Sequence, residues 1–419
     1  MAVYDRWHKS QDAEGDTPCR EHKQIPGSEH GIGDRWQVRW RDEFGRQRKR
    51  NFPKKSGKDP EVHAEAFDAK LKANASKGLS VDTDSSNMLL RDYGALWRSG
   101  AINRVSTAER MESIFRLHID PILGHFKMSQ VRASHVRAWV KDRSAVLAPS
   151  TLRVAYSYVT ALFSWAVVDR AIEVSPCKEQ RLPEVGKHDH YIPTPDQVHG
   201  LAERLPARYS GIVYLGAGCG LRGGEIFGLE LDAIDFERRE IDVRQQLIAV
   251  SGRKPFLGPP KTKTSARTVE LPEVASEALR RHLERFAPVE VEIEDETDPR
   301  KPRRRKAKLV FLWGGVTGGF GDLTPIHRAS WAHAWSPAAR AVGIPKGVGL
   351  HCLRHYFATL LIHEGASVKT VQMALGHSTP TVTLNTYVGE WPEAQDRTRA
   401  LVDNALGLVP RMCPPPQAA

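Results

Sequence analysis

At 419 residues the chain is longer than one hydrophobic core usually supports, and two or three compact units are expected. Its 40% hydrophobic and 26% charged residues are ordinary for a water-soluble protein. No apolar run approaches the roughly 20 residues of a membrane span, and the start MAVYDRWHKSQDAEGD lacks a signal-peptide core, so an intracellular protein without membrane contact is expected. A net charge of +11 and a pI near 9.4 favour a polyanionic partner. Cys19, Cys177, Cys219, Cys352 and Cys413 are odd in number and never form a CxxC pair, which argues against a disulfide framework and against a cysteine metal site.

In chain order, a polar start reads as loose. Residues 35–52, RWQVRWRDEFGRQRKRNF, carry two alternating runs, Trp36-Val38-Trp40 and Gln47-Lys49-Asn51, about the turn-forming Asp42-Glu43-Phe44-Gly45, which predicts a β-hairpin. Arg35, Arg39, Arg41, Arg46, Arg48, Lys49 and Arg50 crowd onto it. They read either as a solvated face or as a small sheet laid in a DNA groove, and the overall charge favours the groove. A helix is predicted from Pro60 to Lys77, stopped by Gly78. VDTDSSN, Val81 to Asn87, reads as a linker. Met88 to Arg181 is helix-rich: Leu152, Ala155, Tyr156, Val159, Leu162, Phe163 and Ala166 trace one buried helical face, and HIDPILGHF, His118 to Phe126, joins two helices.

LPEVGKHDHYIPTP, Leu182 to Pro195, marks a second boundary. Beyond it the spacing predicts helices at 196–204, 209–218 and 273–285, with short strands in EIDVRQQ and at 266–271. The acidic stretch Glu290 to Asp298 and the basic Arg300 to Lys308 read as a surface insertion whose basic half can also touch DNA. Helices are expected again at 351–364, 367–375 and 379–386, before the proline-rich, extended tail LGLVPRMCPPPQAA.

Four stretches carry reactive residue types. In LHCLRHYF, Leu350 to Phe357, His351 and His355 are four apart, the spacing of a two-histidine metal pair, while His351 and Arg354, three apart, aim a titratable group and a fixed cation at one point. A plain core helix is the third reading. Arg222 precedes Glu225 by three residues, Lys261 and Lys263 precede a β-like run, and His377 follows Gly376 with Tyr387 ten residues on. Singly, each is unremarkable: a surface ion pair contributing a few tenths of a kcal/mol, a core histidine, a half-buried tyrosine.

Together, Arg-x-x-Glu, a lysine on a hairpin, His-x-x-Arg, Leu-Gly-His-Ser and a downstream tyrosine resemble, in order and spacing, the tyrosine site-specific recombinases of the phage integrase family, over residues 190 to 395. The resemblance implies a mainly α multidomain fold with small β-sheets (α+β): an arm-type DNA-binding module at 1–82, a helical, SAM-like core-binding domain at 83–182, a catalytic domain at 189–400 and a tail at 401–419. It implies cleavage and rejoining of DNA through a 3′-phosphotyrosine, with no metal, ATP or other cofactor. Tyr387 would be the nucleophile, and Arg222, Arg354 and His377 the donors to the phosphate. His351 would accept the phenol proton. Lys261 would protonate the departing 5′ oxygen, with Lys263 as the alternative because hairpin length varies. Glu225 and His355 would support the site structurally.

The physical chemistry agrees with that reading. A pentacoordinate phosphorane gains negative charge, forked arginines answer it, and each preorganised donor contributes roughly 3 to 4 kcal/mol. Zinc at His351 and His355 is disfavoured because no glutamate lies between them and Arg354 would stand beside the dication. The family resemblance further implies a homotetramer on paired double-stranded attachment sites, with a helix near 393–406 docking on a neighbouring protomer. Accessory DNA-bending or directionality factors are possible partners, and the expected location is cytoplasmic and nucleoid-associated. A type IB topoisomerase shares the chemistry and is the alternative. A DNA-binding regulator with a degenerate site is disfavoured by the intact residue set.

Overall fold

The computed structural model describes residues 2–9, 17–41, 46–76, 82–186 and 190–387, divided into two compact units that meet in sequence at Gly186 and Lys187. The tail and the expected helix near 393–406 lie outside the described residues.

The first unit opens with strand β1 (Ala2–Asp5), where a loose segment was expected. β2 (Trp36–Arg41) and β3 (Gln47–Phe52) form the predicted hairpin, and the sheet runs β1-β2-β3, all antiparallel. β1 belongs to the sheet because Val3 pairs with Val38, and both sit in the small core that Phe52 and Ala64 share. That core is roofed by helix α1 (Ala64–Ser76), which starts later than the sequence suggested; its Phe67 packs on Phe52 and Trp40. Strand alternation then splits the cations. Arg48 and Arg50 point to the covered side and form ion pairs with Asp84 and Glu61, Arg46 pairs with Asp82 and Asp84, and Arg35 lies 2.7 Å from Asp5. Arg39, Arg41 and Lys49 share the other, open face.

The VDTDSSN segment is a short helix, α2 (Thr83–Asn87), rather than a free linker. Asp82 caps it by accepting from the amides of Asp84 and Ser85, and its carboxylates hold the hairpin arginines. Near the start of this unit Cys19 is not isolated, contrary to the sequence reading: His8, Cys19, His22 and His30 bring their donor atoms within 4.8 Å of one another. Cys19 and His22 share one turn as a Cys-x-x-His pair, and His8 and His30 join them from farther along the chain.

Next come α3 (Leu90–Gly100), α4 (Val105–Ile114), a π-helical turn (Phe115–Ile119) running into α5 (Asp120–Leu123), α6 (Ala133–Ser144) and α7 (Pro149–Val168). The wider π turn presents the His118 carbonyl to the indole Nε1 of buried Trp139 at 2.7 Å, so the HIDPILGHF junction is wound rather than looped. At 20 residues and a mean hydropathy of 1.2, α7 is long and apolar enough to cross a membrane, contrary to the reading that no run approaches that length. Of its predicted face, Leu152, Ala155, Val159, Leu162, Phe163 and Ala166 are fully buried in one core with Leu90, Phe115, Ile119 and Trp139, which is what a core helix does, and Tyr156 is half-buried, donating its hydroxyl to the Cys177 carbonyl.

The second unit contains α8 (Pro195–Arg204), α9 (Ala207–Cys219), α10 (Gly223–Phe227), β4 (Ile234–Asp235), β5 (Glu240–Val243), β6 (Gln246–Ile248), β7 (Phe256–Gly258), β8 (Arg267–Glu270), α11 (Glu273–Arg285), β9 (Val291–Asp295), β10 (Arg303–Ala307), α12 (Arg328–Ala341), α13 (His351–His363), α14 (Val368–Leu375) and α15 (Pro380–Tyr387). α9 is central, with Tyr209, Ile212, Val213 and Leu215 buried where α8, α11 and α13 pack on it. The strands form two sheets, β4-β5-β8 and β10-β9-β7-β6. The charge-reversed stretch is therefore not an insertion but the hairpin β9–β10 of the second sheet. Val291, Ile293 and Asp295 face inward, and Glu292 and Glu294 lie opposite Lys306 and Arg304. The sign change is cross-strand complementarity.

Candidate active site

Arg354, one turn into α13, is 1% exposed. Its Nη1 donates to the carbonyl of Gly220 at 2.6 Å and its Nη2 to the carbonyl of Leu375 at 2.6 Å. These carbonyls end α9 and α14, each closed by a left-handed glycine, Gly220 at φ 62° and Gly376 at φ 63°. A Cβ on Gly220 would stand 2.3 Å from Phe357, and one on Gly376 2.9 Å from the Thr264 carbonyl, so both turns require glycine. Burial first, then Arg222, push the Arg354 guanidinium down to about 9, which leaves it cationic at neutral pH.

Arg222 caps α10. Its Nη1 donates to Glu225 Oε1 at 2.7 Å and to Ser265 Oγ at 3.3 Å, and its backbone N–H donates to Glu225 Oε2 at 3.0 Å. Glu225, 4% exposed, also accepts from Arg267 Nη2 at 3.2 Å, while Arg267 Nε reaches the Ala374 carbonyl at 3.0 Å. Burial alone would raise the Glu225 carboxyl; Arg267 and Arg222 overcome it and hold the group below its ordinary range. Arg267 was not singled out in the sequence. Its signal was a charged residue two places before buried Val269 on a strand, on the core-facing side.

Tyr387, 3% exposed, sits among Ala358, Ile362, Val371 and Leu375, and its Oη lies 2.8 Å from His355 Nδ1. Burial raises the phenol to about 12, against the opposing pull of Arg354 and Arg222. His355 in turn stacks on His190, with centroids 4.1 Å apart and planes 15° apart. The histidine that touches the tyrosine is thus the one read as structural support. His351 was read as the proton acceptor; it begins α13 and meets His355 edge-on at 4.8 Å. His190, in the segment taken as a boundary, offered no sequence signal.

His377 turns Nδ1 to Thr383 Oγ1 at 2.9 Å. Burial, then Arg354 and Arg222, lower both His351 and His377 to about 4, and burial with the neighbouring imidazoles of His351 and His190 lowers His355 to about 3. All three rings are neutral at pH 7. Lys261 is exposed and lies on the connection from β7 to β8, strands of different sheets, so it is not on a hairpin as the motif suggested. Lys263 starts a 3-10 turn, Lys263–Ser265, and its side chain is outside the described ones. Among the described residues no hydrogen bond or ion pair joins Lys261 to the arginines. The cluster therefore offers fixed cations, neutral imidazoles and a shielded phenol, a set suited to gripping an anion and attacking it.

Residues 194–392 match the family model described as "Phage integrase family", and residues 103–143 match "Phage integrase, N-terminal SAM-like domain". The chain is 25% identical over 377 residues to a tyrosine recombinase XerC-like protein of Caldanaerobacter subterraneus, covering 84% of this chain and 91% of the relative. It is 26% identical over 329 residues to the integrase of Mycobacterium phage D29, covering 78% and 81%. The Tn1549 transposon integrase, solved in complex with transposon right end DNA, superposes with a TM-score of 0.63 at 22% identity over 76% of this chain and all of that one. Both the fold and the relatives converge on one assignment: the chain belongs to the phage integrase family, the tyrosine site-specific recombinases.

Proposed function

We propose that the chain cleaves and rejoins double-stranded DNA at paired attachment sites, integrating or excising a mobile element, with Tyr387 as the nucleophile. The phenol oxygen attacks the scissile phosphorus and the bond to the 5′ oxygen breaks, leaving a 3′-phosphotyrosine; attack by a 5′ hydroxyl of the partner strand reverses the step. No bond energy is lost, so neither ATP nor a metal enters the balance. Arg222, Arg354 and His377 serve the non-bridging oxygens. Lys261, or Lys263, protonates the departing 5′ oxygen. His351 takes the phenol proton in the family's scheme, and His355 is placed to share that task.

One observation carries this reading: the Arg354 guanidinium bridges the ends of α9 and α14, from which Arg222 and His377 follow within two residues, while the next residue of α13, His355, meets Tyr387 Oη at 2.8 Å. Residues 1–82 and 83–182 supply arm-type and core-type DNA contacts, 189–400 the chemistry, and the tail at 401–419 follows. The active form is a homotetramer, acting inside the cell at the nucleoid with accessory bending or directionality factors.

A nicked suicide substrate bearing the attachment core tests the nucleophile. The wild-type chain accumulates a covalent adduct and Tyr387→Phe does not; an undiminished adduct with the variant would refute the assignment. Efficient relaxation of supercoiled DNA lacking any attachment site would instead support a type IB topoisomerase.

A further inference from the structure

We propose that His8, Cys19, His22 and His30 form a structural zinc site in the N-terminal sheet module. One thiolate and three imidazoles are a closed four-ligand set of the kind zinc favours. Tetrahedral zinc, with bonds of about 2.3 Å to sulfur and 2.0 Å to nitrogen, places sulfur and nitrogen ligands about 3.5 Å apart. Here Cys19 Sγ lies 3.3 Å from His8 Nε2 and 3.7 Å from His22 Nδ1, and all four donor atoms fall within 4.8 Å of one another. The rings stand edge to face around a centre, with centroids 5.0 Å apart for His8 with His22 and with His30, and 6.1 Å for His22 with His30.

Three further features fit a metal rather than a chance cluster. Among the described residues His30 Nε2 is buried without a hydrogen-bond partner, an arrangement that costs free energy unless something ligates it. His8 turns its other nitrogen, Nδ1, to Asp5 Oδ2 at 2.9 Å, and Arg35 holds that carboxylate at 2.7 Å, the outer-shell support that fixes a metal-binding imidazole. The backbone N–H of His22 donates to Cys19 Sγ at 3.3 Å. A backbone donor of this kind favours the thiolate, the form that ligates a metal.

The module also needs a staple. Its described apolar core has only Val38, Phe52 and Ala64 fully enclosed, too little for a small domain to hold a three-stranded sheet unaided. Because His8 follows β1 closely and His30 precedes β2, a metal between them would lock the edge strand to the hairpin that carries Arg39, Arg41 and Lys49.

The test is the metal content of the full-length protein purified without chelators, read by plasma mass spectrometry. About one zinc per chain is expected for a single such site. Cys19→Ser and His30→Ala should each reduce it at least tenfold, and Cys177→Ser, at a buried cysteine elsewhere, should leave it unchanged. Replacing zinc with cobalt in the wild-type chain should give visible d–d absorption and a thiolate charge-transfer band, a readout independent of whether the variants fold. A wild-type chain that carries no zinc and takes up neither zinc nor cobalt on titration overturns the proposal. So does a Cys19→Ser chain that keeps its full metal content.

Discussion

The Tyr387 hydroxyl lies 2.8 Å from Nδ1 of His355, a ring that burial keeps neutral at pH 7 and so able to accept that hydrogen bond. The same bond holds the phenol in an apolar pocket where its own ionisation is suppressed. In His355→Ala the tyrosine loses its tether and its acceptor, and single-turnover cleavage of a suicide substrate should slow about 100-fold, the low end for a general base. His355→Asn, whose amide oxygen can hold the hydroxyl but cannot take its proton, should restore the tether and recover little of the rate. Alanine cleaving as fast as wild type would show that the contact is incidental.

Glu225 faces two guanidiniums from inside the protein. Glu225→Gln keeps its shape but leaves Arg222 and Arg267 without their counter-charge in a buried place, which should cost about 3 kcal/mol or more of stability. Urea denaturation of the variant checks this, and an unchanged midpoint would mean the arginines find other partners.

Histidine protonation sets an acid limit. The folded values of about 4 for His282 and about 3 for His355 lie below the unfolded value near 6.5. The unfolded chain therefore binds protons first as pH falls. The stability these groups contribute is complete above pH 6.5 and is lost as pH drops from 6.5 to about 4 for His282 and to about 3 for His355, at up to about 1.4 kcal/mol per pH unit for each. Denaturation midpoints across that range should decline steadily, and a flat profile would contradict the buried, neutral state of these rings.

The hairpin cations should separate by face. Substituting Arg39, Arg41 and Lys49 with alanine should flatten the salt dependence of arm-site binding by up to about three ion releases, with little change in stability. Alanine at Arg48 and Arg50, which hold Asp84 and Glu61, should act mainly on thermal stability. Titrations of labelled arm DNA at several salt concentrations distinguish the two outcomes.

The candidate site residues could be singled out because their signatures are local: Arg222 with Glu225, His351 with Arg354, and Gly376 with His377 each lie within one helical turn or one cap. α7 and the hairpin were legible for the same reason, each having a clear period. Arg267 and His190 were not, because they reach the site across 42 and 165 residues to Glu225 and His355. β9 and β10 were hidden by the charges on their outward faces, which masked the inward alternation of Val291, Ile293 and Asp295. The cluster about Cys19 depends on turns, one with Lys23 at φ 52°, and on no repeat of residue type.

Arg354 covers the carboxyl ends of both α9 and α14, and each end carries roughly half a negative charge. Without that cover the scissile phosphate of the proposed reaction would approach two repelling dipoles, so in that reaction the guanidinium would both attract the anion and remove a barrier to it. Lysine at this position could screen one helix end but not fork across two. Arg354→Lys should therefore weaken phosphate binding by more than the loss of one hydrogen bond, since the uncovered helix end would itself turn against the DNA.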